Sequence, residues 1–353
     1  ITPSSRRKLC ELMFEKFGVS AFFLAKDAVL SCYAVGKTSG LVVDCGGGGT
    51  VVTPVTDGWV ELKALSRSHL SGRLMDAYLL SLVSRRLKAY PRPLYRLTKT
   101  AVPERNHEVI VQDQLGLNNL TKSFQAYMNL ELGRDVKEAV CKIADQTLAE
   151  NEIRYSSLPT TSYELPDGTI IDLGIERFQI PELFIDPSPL LTAPVANNAF
   201  AAFPPLPPSP SSSSNAAAAS SSSPYPWDTQ EDMSNLYSSS SQKSHGNILP
   251  FSLDSLPKMV CDSVLRSDQD IQSTLLANMV LAGGNSCYDG LLERLRFEVE
   301  RRIHQHAPGM KVKMFSANTN AEKGLTAWLG GSIVGSLGSF HEIWVSKKEY
   351  DEF

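Results

Sequence analysis

Cysteine is sparse and scattered. The 353 residues hold six: Cys10, Cys32, Cys45, Cys141, Cys261 and Cys287. No two form a CxxC pair, which excludes the common zinc spacings and favours a reducing compartment. The six histidines (His69, His107, His245, His304, His306, His341) are equally dispersed. Only His304 and His306 stand close, and two apart on a helix they face different ways, so surface histidines are expected and no serine–histidine–acid arrangement can be argued. No uninterrupted apolar run reaches the ~18 residues of a membrane helix. The best candidate, Val19 to Val35, carries Lys26 and Asp27 in its middle and reads as a buried soluble helix. Positive charge is not in excess: 34 Lys and Arg against 38 Asp and Glu give a net charge of −4, which argues against broad electrostatic nucleic-acid binding. The chain opens on Ile1, and nothing before Thr2 resembles a signal peptide, so the start reads as processed or as that of a fragment.

What is present is the composition of a globular chain, 42% hydrophobic and 20% charged, long enough for roughly two domains. Residues 4–17 read as an amphipathic helix capped by Ser4 or Ser5, with Leu9, Leu12, Met13 and Phe17 at helical spacing. A helix over Asp27 to Ala34 is followed by a β segment from Gly40 to Asp44, four glycines, and a second β segment from Thr50 to Val55. Asp57-Gly58 signals a turn, and Trp59 to Leu65 reads as a further strand. Helices are expected from Gly72 to about Leu87 and over residues 128–149, where Leu132, Val136, Val140 and Ile143 share a stripe. Pro166-Asp167-Gly168 marks a hairpin. A strand from Val280 ends in Gly283-Gly284 and feeds a helix from about Tyr288 to His306. Residues 326–340 form a small-residue helix region. Residues 191–246 differ in kind: rich in Ser, Ala and Pro, they lack the apolar surface to offset ordering entropy and read as a disordered insertion.

Three groups of residues can carry chemistry. Asp44 and the loop Gly46, Gly47, Gly48, Gly49 and Thr50 join two apolar strands. Backbone amides of such a loop can ring a phosphate, and an aspartate at the strand end can hold a hydrated Mg2+ beside it. A ligand-free glycine hairpin is the plain alternative. This is no P-loop, because GK[ST] is missing and a strand follows. Gly283, Gly284 and Asn285 join a strand to a helix, a suitable place for a phosphate or ribose, or merely a tight turn. Arg134, Lys137 and Glu138 share a helix face. They could frame a base and ribose, or form an ordinary solvated face.

In order along the chain, these segments resemble the actin family. Asp44 to Pro54 with Asp57-Gly58 is similar to its second phosphate hairpin. Ser71-Gly72-Arg73 resembles a turn that lines the nucleotide, and Arg134 to Glu138 the purine-side helix. Leu281 to Gly284 with Tyr288 resembles the adenosine loop. Trp328 to Ile333, Leu337 to Phe340 and Trp344 to Tyr350 resemble the C-terminal signature. The resemblance implies an α/β protein with the two-lobed actin or chaperone-ATPase fold, ribonuclease H-like sheets flanked by helices, binding ATP and Mg2+. It would place 1–34 with 326–353 in subdomain 1, 35–70 with 247–325 in subdomain 3, and 71–190 in subdomain 4. It adds Gly72, Tyr288 and Lys323 to the nucleotide set and implies a fold incomplete at its N-terminus, the family's first phosphate loop lying ahead of Ile1.

Leu256 to Ile271, Tyr163 to Gly168 and Ile180 to Pro187 resemble the nuclear actin-related branch. That branch implies a nuclear subunit of chromatin-remodelling and histone-acetyltransferase complexes, although no basic import motif is found. Its partners would be nuclear actin, a helicase-type remodelling ATPase subunit, acetyltransferase complex subunits and, as a further candidate, histones, with no membrane. Hydrolytic positions depart from conventional actin. Asp27 stands for a glutamine, Val51 for a histidine and Gly47 for an acidic residue, and Lys323 lies one position from the adenine-stacking lysine, whose place Gly324 takes. Asp27 is the one candidate for orienting a water, and slow or absent hydrolysis is expected. The alternative is a divergent cytoskeletal actin-like ATPase that forms filaments, with a kinase of the same superfamily a distant third.

Overall fold

A computed structural model describes residues 3–101, 109–113, 120–148, 151–192 and 253–352. The expected insertion at 191–246 lies outside the described residues except for its first two. The N-terminal elements are α1 (Pro3–Glu11), β1 (Ala21–Phe22), α2 (Asp27–Ala34), β2 (Gly40–Cys45), β3 (Thr50–Thr56), β4 (Trp59–Val60), β5 (Ser66–Ser68) and α3 (Gly72–Leu87). Next come β6 (Leu97–Ala101), β7 (Val109–Asp113), α4 (Lys122–Val140), α5 (Glu152–Ser156), β8 (Thr161–Glu164), β9 (Ile170–Leu173), α6 (Glu176–Glu182) and α7 (Ser188–Thr192). After residue 252 follow α8 (Leu256–Arg266), α9 (Gln269–Ala277), β10 (Met279–Ala282), α10 (Leu291–His306), β11 (Met314–Phe315), α11 (Asn320–Gly324), α12 (Thr326–Gly335), β12 (Val345–Ser346) and α13 (Lys347–Glu352).

The main sheet runs β11-β10-β2-β3-β4, with β5 also on β3. β11, β10 and β2 are parallel, and the pairs made by β3 are antiparallel. Strand alternation sorts β2. Leu41, Val43 and Cys45 join the large core beneath α3, α4, α8 and α10, and Val42 joins a smaller one with Ala28, Cys32, Val55 and Val280. Asp44 shares the parity of Val42, so it lies on the sheet face turned to α2.

Several boundaries move from the sequence reading. The stretch from Val19 to Val35 is β1 and then α2, because Lys26 is extended (φ −88°, ψ 131°). α1 begins at Pro3, which puts Ser4 and Ser5 inside it rather than at a cap, and a π-helical turn over Leu12–Lys16 continues it. The strand expected to Leu65 stops at Val60. Glu61 N–H reaches the Pro54 carbonyl (3.0 Å), Pro54 has no N–H to return, and Leu62–Ala64 coils into a 3-10 turn. α4 starts at Lys122, where Thr121 Oγ1 accepts from Phe124 N–H (3.3 Å), and ends at Val140 because Cys141 is extended. Ile143 keeps the buried stripe from a loop. The helix at 326–340 ends at Gly335, and a 3-10 turn follows at Phe340–Glu342.

All six cysteines are free. His304, His306 and His341 are exposed and His69 is half-buried, while His107 and His245 lie outside the described residues. Among the described residues no His, Cys, Asp and Glu cluster suits a metal, and no helix is long and apolar enough to cross a membrane.

Candidate functional site

Four chain segments meet at one end of the main sheet. The β2–β3 turn closes on itself through Gly46 N–H to the Gly49 carbonyl (3.0 Å). Its other carbonyls point toward the start of α3: Gly46 O accepts from Gly72 N–H and Gly47 O from Arg73 N–H, both at 3.1 Å. Gly47 and Gly48 are exposed, a Cβ on either would meet open space, and among the described residues no acceptor faces their amides. Two N–H groups are thus presented to solvent, the arrangement an oxyanion requires. Thr50 is a support rather than a contact. It is fully buried, and its hydroxyl donates to the Leu70 carbonyl at 2.6 Å.

The turn after β10 supplies the second wall. Gly283 has φ +90°, and a Cβ there would stand 2.3 Å from Asp44 Oδ1 and 2.6 Å from the Cys45 carbonyl. Only glycine fits. The helix expected from about Tyr288 starts three residues later, at Leu291. Gly284–Cys287 is a 3-10 turn, and α10 begins only after Gly290, itself left-handed (φ 83°). Gly283 N–H donates to the Lys323 carbonyl (3.2 Å), which ties in α11.

The trio on α4 divides. Arg134 and Glu138 are exposed and paired, at 3.8 Å, and Arg134 also holds Glu131 at 2.6 Å. Lys137 turns inward with only 4% of its surface exposed. Its Nζ lies 2.8 Å from Asp76 Oδ1 and 3.4 Å from both the Gly72 carbonyl and Asn285 Oδ1. Asn285 Nδ2 donates to the Cys45 and Gly46 carbonyls at 3.2 and 2.9 Å. The sequence reading missed Asp76. Its signal was a single acid in the apolar run Leu74 to Leu80, a burial that demands a partner. Burial pushes the Asp76 carboxyl up, and Lys137 opposes that shift. Burial raises the Cys287 thiol, the charge of Lys323 opposing the rise and that of Glu138 adding to it. The Tyr288 hydroxyl is buried without a hydrogen-bond partner among the described residues, and burial drives its titration well above the usual phenol range.

On the α2 side of the sheet, Asp44 is paired across the strands with Val51. Burial first, and then the charge of Asp27, pushes the Asp44 carboxyl up. A buried carboxylate with a second acid close enough to raise it suits a hydrated cation between them. Asp27 sits in the first turn of α2 and accepts from Ala28 N–H (2.8 Å). Val51, opposite Asp44 across the strands, can move no proton, which leaves these two carboxylates as the candidates to act on a water at this place among the described residues. Two surface cavities, of about 400 and 780 Å³, lie elsewhere, one beside Glu298 and Arg301 and one beside Cys10 and Trp344. With Gly47, Gly48 and Glu138 exposed, the site is open to solvent.

A mixed sheet flanked by helices, with glycine turns gathered at its strand ends around buried polar side chains, is the architecture of an actin-fold protein, and the sequence agrees. The sequence pattern of the actin family matches residues 1–353, and the chain belongs to that family. It is 36% identical over 352 residues to Actin-related protein 4 of Oryza sativa subsp. japonica, covering 99% of this chain and 66% of that protein. It is 34% identical to Actin-related protein 4 of Arabidopsis thaliana, covering 99% and 67%. A Schizosaccharomyces pombe protein named as a subunit of the SWI/SNF and RSC complexes is 28% identical, covering 99% and 71%. The chain thus spans about two thirds of the length of these relatives, and their names agree with the actin-related branch read from Leu256 to Ile271, Tyr163 to Gly168 and Ile180 to Pro187.

Proposed function

We propose that this chain is the ATP-binding part of an actin-related subunit of chromatin-remodelling and histone-acetyltransferase complexes. In this reading it works in the nucleus and pairs with nuclear actin on the remodelling ATPase. The outward amides of Gly47 and Gly48 beside Asp44 carry the nucleotide half of the reading. The names of the relatives support the chromatin half.

The Gly47 and Gly48 amides would receive phosphate oxygens. Asp44, with Asp27 near, would hold Mg2+ through water, and the metal would supply charge neutralisation at the phosphates. Glu138 and Lys323 would flank the nucleoside at the rim. Val51 supplies no base, so bound ATP acts as a structural ligand with slow or absent turnover.

The test is affinity purification of the tagged full-length protein from cell extract, with mass spectrometry of stoichiometric partners. Recovery of a remodelling ATPase, actin and acetyltransferase subunits is the expected result. Recovery of the protein alone, or of filament-binding proteins, would overturn it in favour of a divergent cytoskeletal ATPase. Single-turnover hydrolysis at the rate of conventional actin would sink the structural-ligand reading separately.

A further inference from the structure

The aim of the glycine turn is set by atoms that do not reach its outer face. A trans peptide unit is planar, and its C=O and N–H point to opposite sides. Pinning the Gly46 carbonyl inward therefore turns the Gly47 N–H outward. Pinning the Gly47 carbonyl does the same for the Gly48 N–H. The first pin is double, Gly72 N–H at 3.1 Å and Asn285 Nδ2 at 2.9 Å, and the second is Arg73 N–H at 3.1 Å.

Asn285 is only 7% exposed, and a Cβ on Gly72 would lie 2.8 Å from its Nδ2, so the carboxamide is packed tightly against α3. Which way that carboxamide faces is settled by charge. Lys137 Nζ, 3.4 Å from Oδ1, can only donate, so the oxygen faces the ammonium and the NH2 faces the Cys45 and Gly46 carbonyls. Lys137 is held there by Asp76 at 2.8 Å, and both side chains are 5% exposed. The close approach of α3 to α4 that permits this pair depends on Gly133, where a Cβ would lie 2.8 Å from the Asp76 carbonyl.

We propose that Asp76, Lys137 and Asn285 are positioning residues that aim the Gly47 and Gly48 amides at the phosphates of a nucleotide, the first through Asn285 and the second through the Gly72 carbonyl that Lys137 holds at 3.4 Å, whose peptide unit carries the Arg73 N–H, with Lys137 acting as an internal strut rather than as a ligand contact. This rests on the nucleotide reading of the site. It separates two demands on the ligand: the strut governs affinity for the phosphates and leaves affinity for the nucleoside alone.

The experiment uses the purified chain, Asp76→Asn, and the double variant Asp76→Asn with Lys137→Met, which leaves no buried charge unpaired. Amide hydrogen exchange is followed in ligand-free protein, and binding of Mg·ATP and of adenosine is measured at equilibrium. Both variants are expected to exchange residues 45–50 about tenfold faster while residues 291–306 stay as in the parent. They should also lose about tenfold in Mg·ATP affinity, the effect of about one hydrogen bond, with adenosine affinity held within about twofold. Unchanged exchange at 45–50 in the double variant overturns the proposal, as does an equal fall in ATP and adenosine binding. If the parent binds neither ligand, the nucleotide reading fails by itself, and the exchange comparison alone decides the strut.

Discussion

At the scale of single residues, Glu182 is the group whose protonation the fold alters most legibly. It is 5% exposed, and its Oε1 accepts from Leu148 N–H and from Arg294, both at 3.3 Å. Glu298 holds the same Arg294 at 3.0 Å and adds Arg301 at 2.8 Å, so Glu182 is the less well compensated acid. Burial lifts its carboxyl from 4.5 to about 7, Arg294 pulling the other way and Glu298 adding to the rise. A raised acid binds its proton more tightly in the folded state, so stability falls as pH rises from about 4.5 through 7. Urea midpoints at pH 5, 6, 7 and 8 should record a loss on the order of 1–3 kcal/mol, and Glu182→Gln should flatten the slope. Parallel profiles for the two proteins would show that another group is responsible. The same residue scale is where the sequence was hardest to read. Arg134, Lys137 and Glu138 share a helical face by spacing, yet only the fold reveals that Lys137 turns to Asp76. Nothing in the chain couples positions 76, 137 and 285 short of their meeting in space. Thr50 was legible as part of the loop, but not that its hydroxyl is spent on Leu70.

Whole elements were more legible where local chemistry decides them. α2 and α3 have the limits their patterns predict, and Asp57 (φ 48°) and Gly58 (φ 80°) make the turn their dipeptide announces. The errors came where a tertiary contact ended an element early, as Pro54 did for β4, or where a buried loop residue imitated the next turn of a helix, as Ile143 did for α4. Packing between elements gives a sharper test. α12 lies on α2 so closely that a Cβ on Gly330 would stand 1.8 Å from the Leu30 carbonyl. Gly330→Ala must push the helices apart and is expected to cost about 3 kcal/mol or more, read as a lower denaturant midpoint. Gly335, at the end of the same helix, has open space around its would-be Cβ. Gly335→Ala should therefore be neutral or stabilise by up to about 1 kcal/mol, and a comparable loss at both positions would refute the close-contact account.

For the molecule as a whole, the family was legible because ordered motifs outlast sequence drift: the glycine hairpin, the Ser71 to Arg73 turn, the Arg134 to Glu138 helix, the Gly283 turn and the C-terminal signature. If the site takes nucleotide, ligand at a hundred times its Kd adds about 2.7 kcal/mol to the folded state, and the melting temperature should rise by about 4–5 °C for a chain of this length. Adenosine should give a smaller rise, and the absence of any shift with Mg·ATP would count against binding. The site is also assembled from distant parts of the chain. Asn285 reaches Cys45 across 240 positions, and β10 lies beside β2 with a similar separation. The β2–β3 hairpin can form early from local contacts, but it stays unaimed until β10 and the turn after it arrive. Refolding should thus show two clocks, a fast one for the hairpin and a slow one for the site, since long-range pairing sets the pace. The length of the intervening serine-rich tract barely matters to that delay, because removing about 50 of the roughly 240 positions eases closure by only about 0.2 kcal/mol.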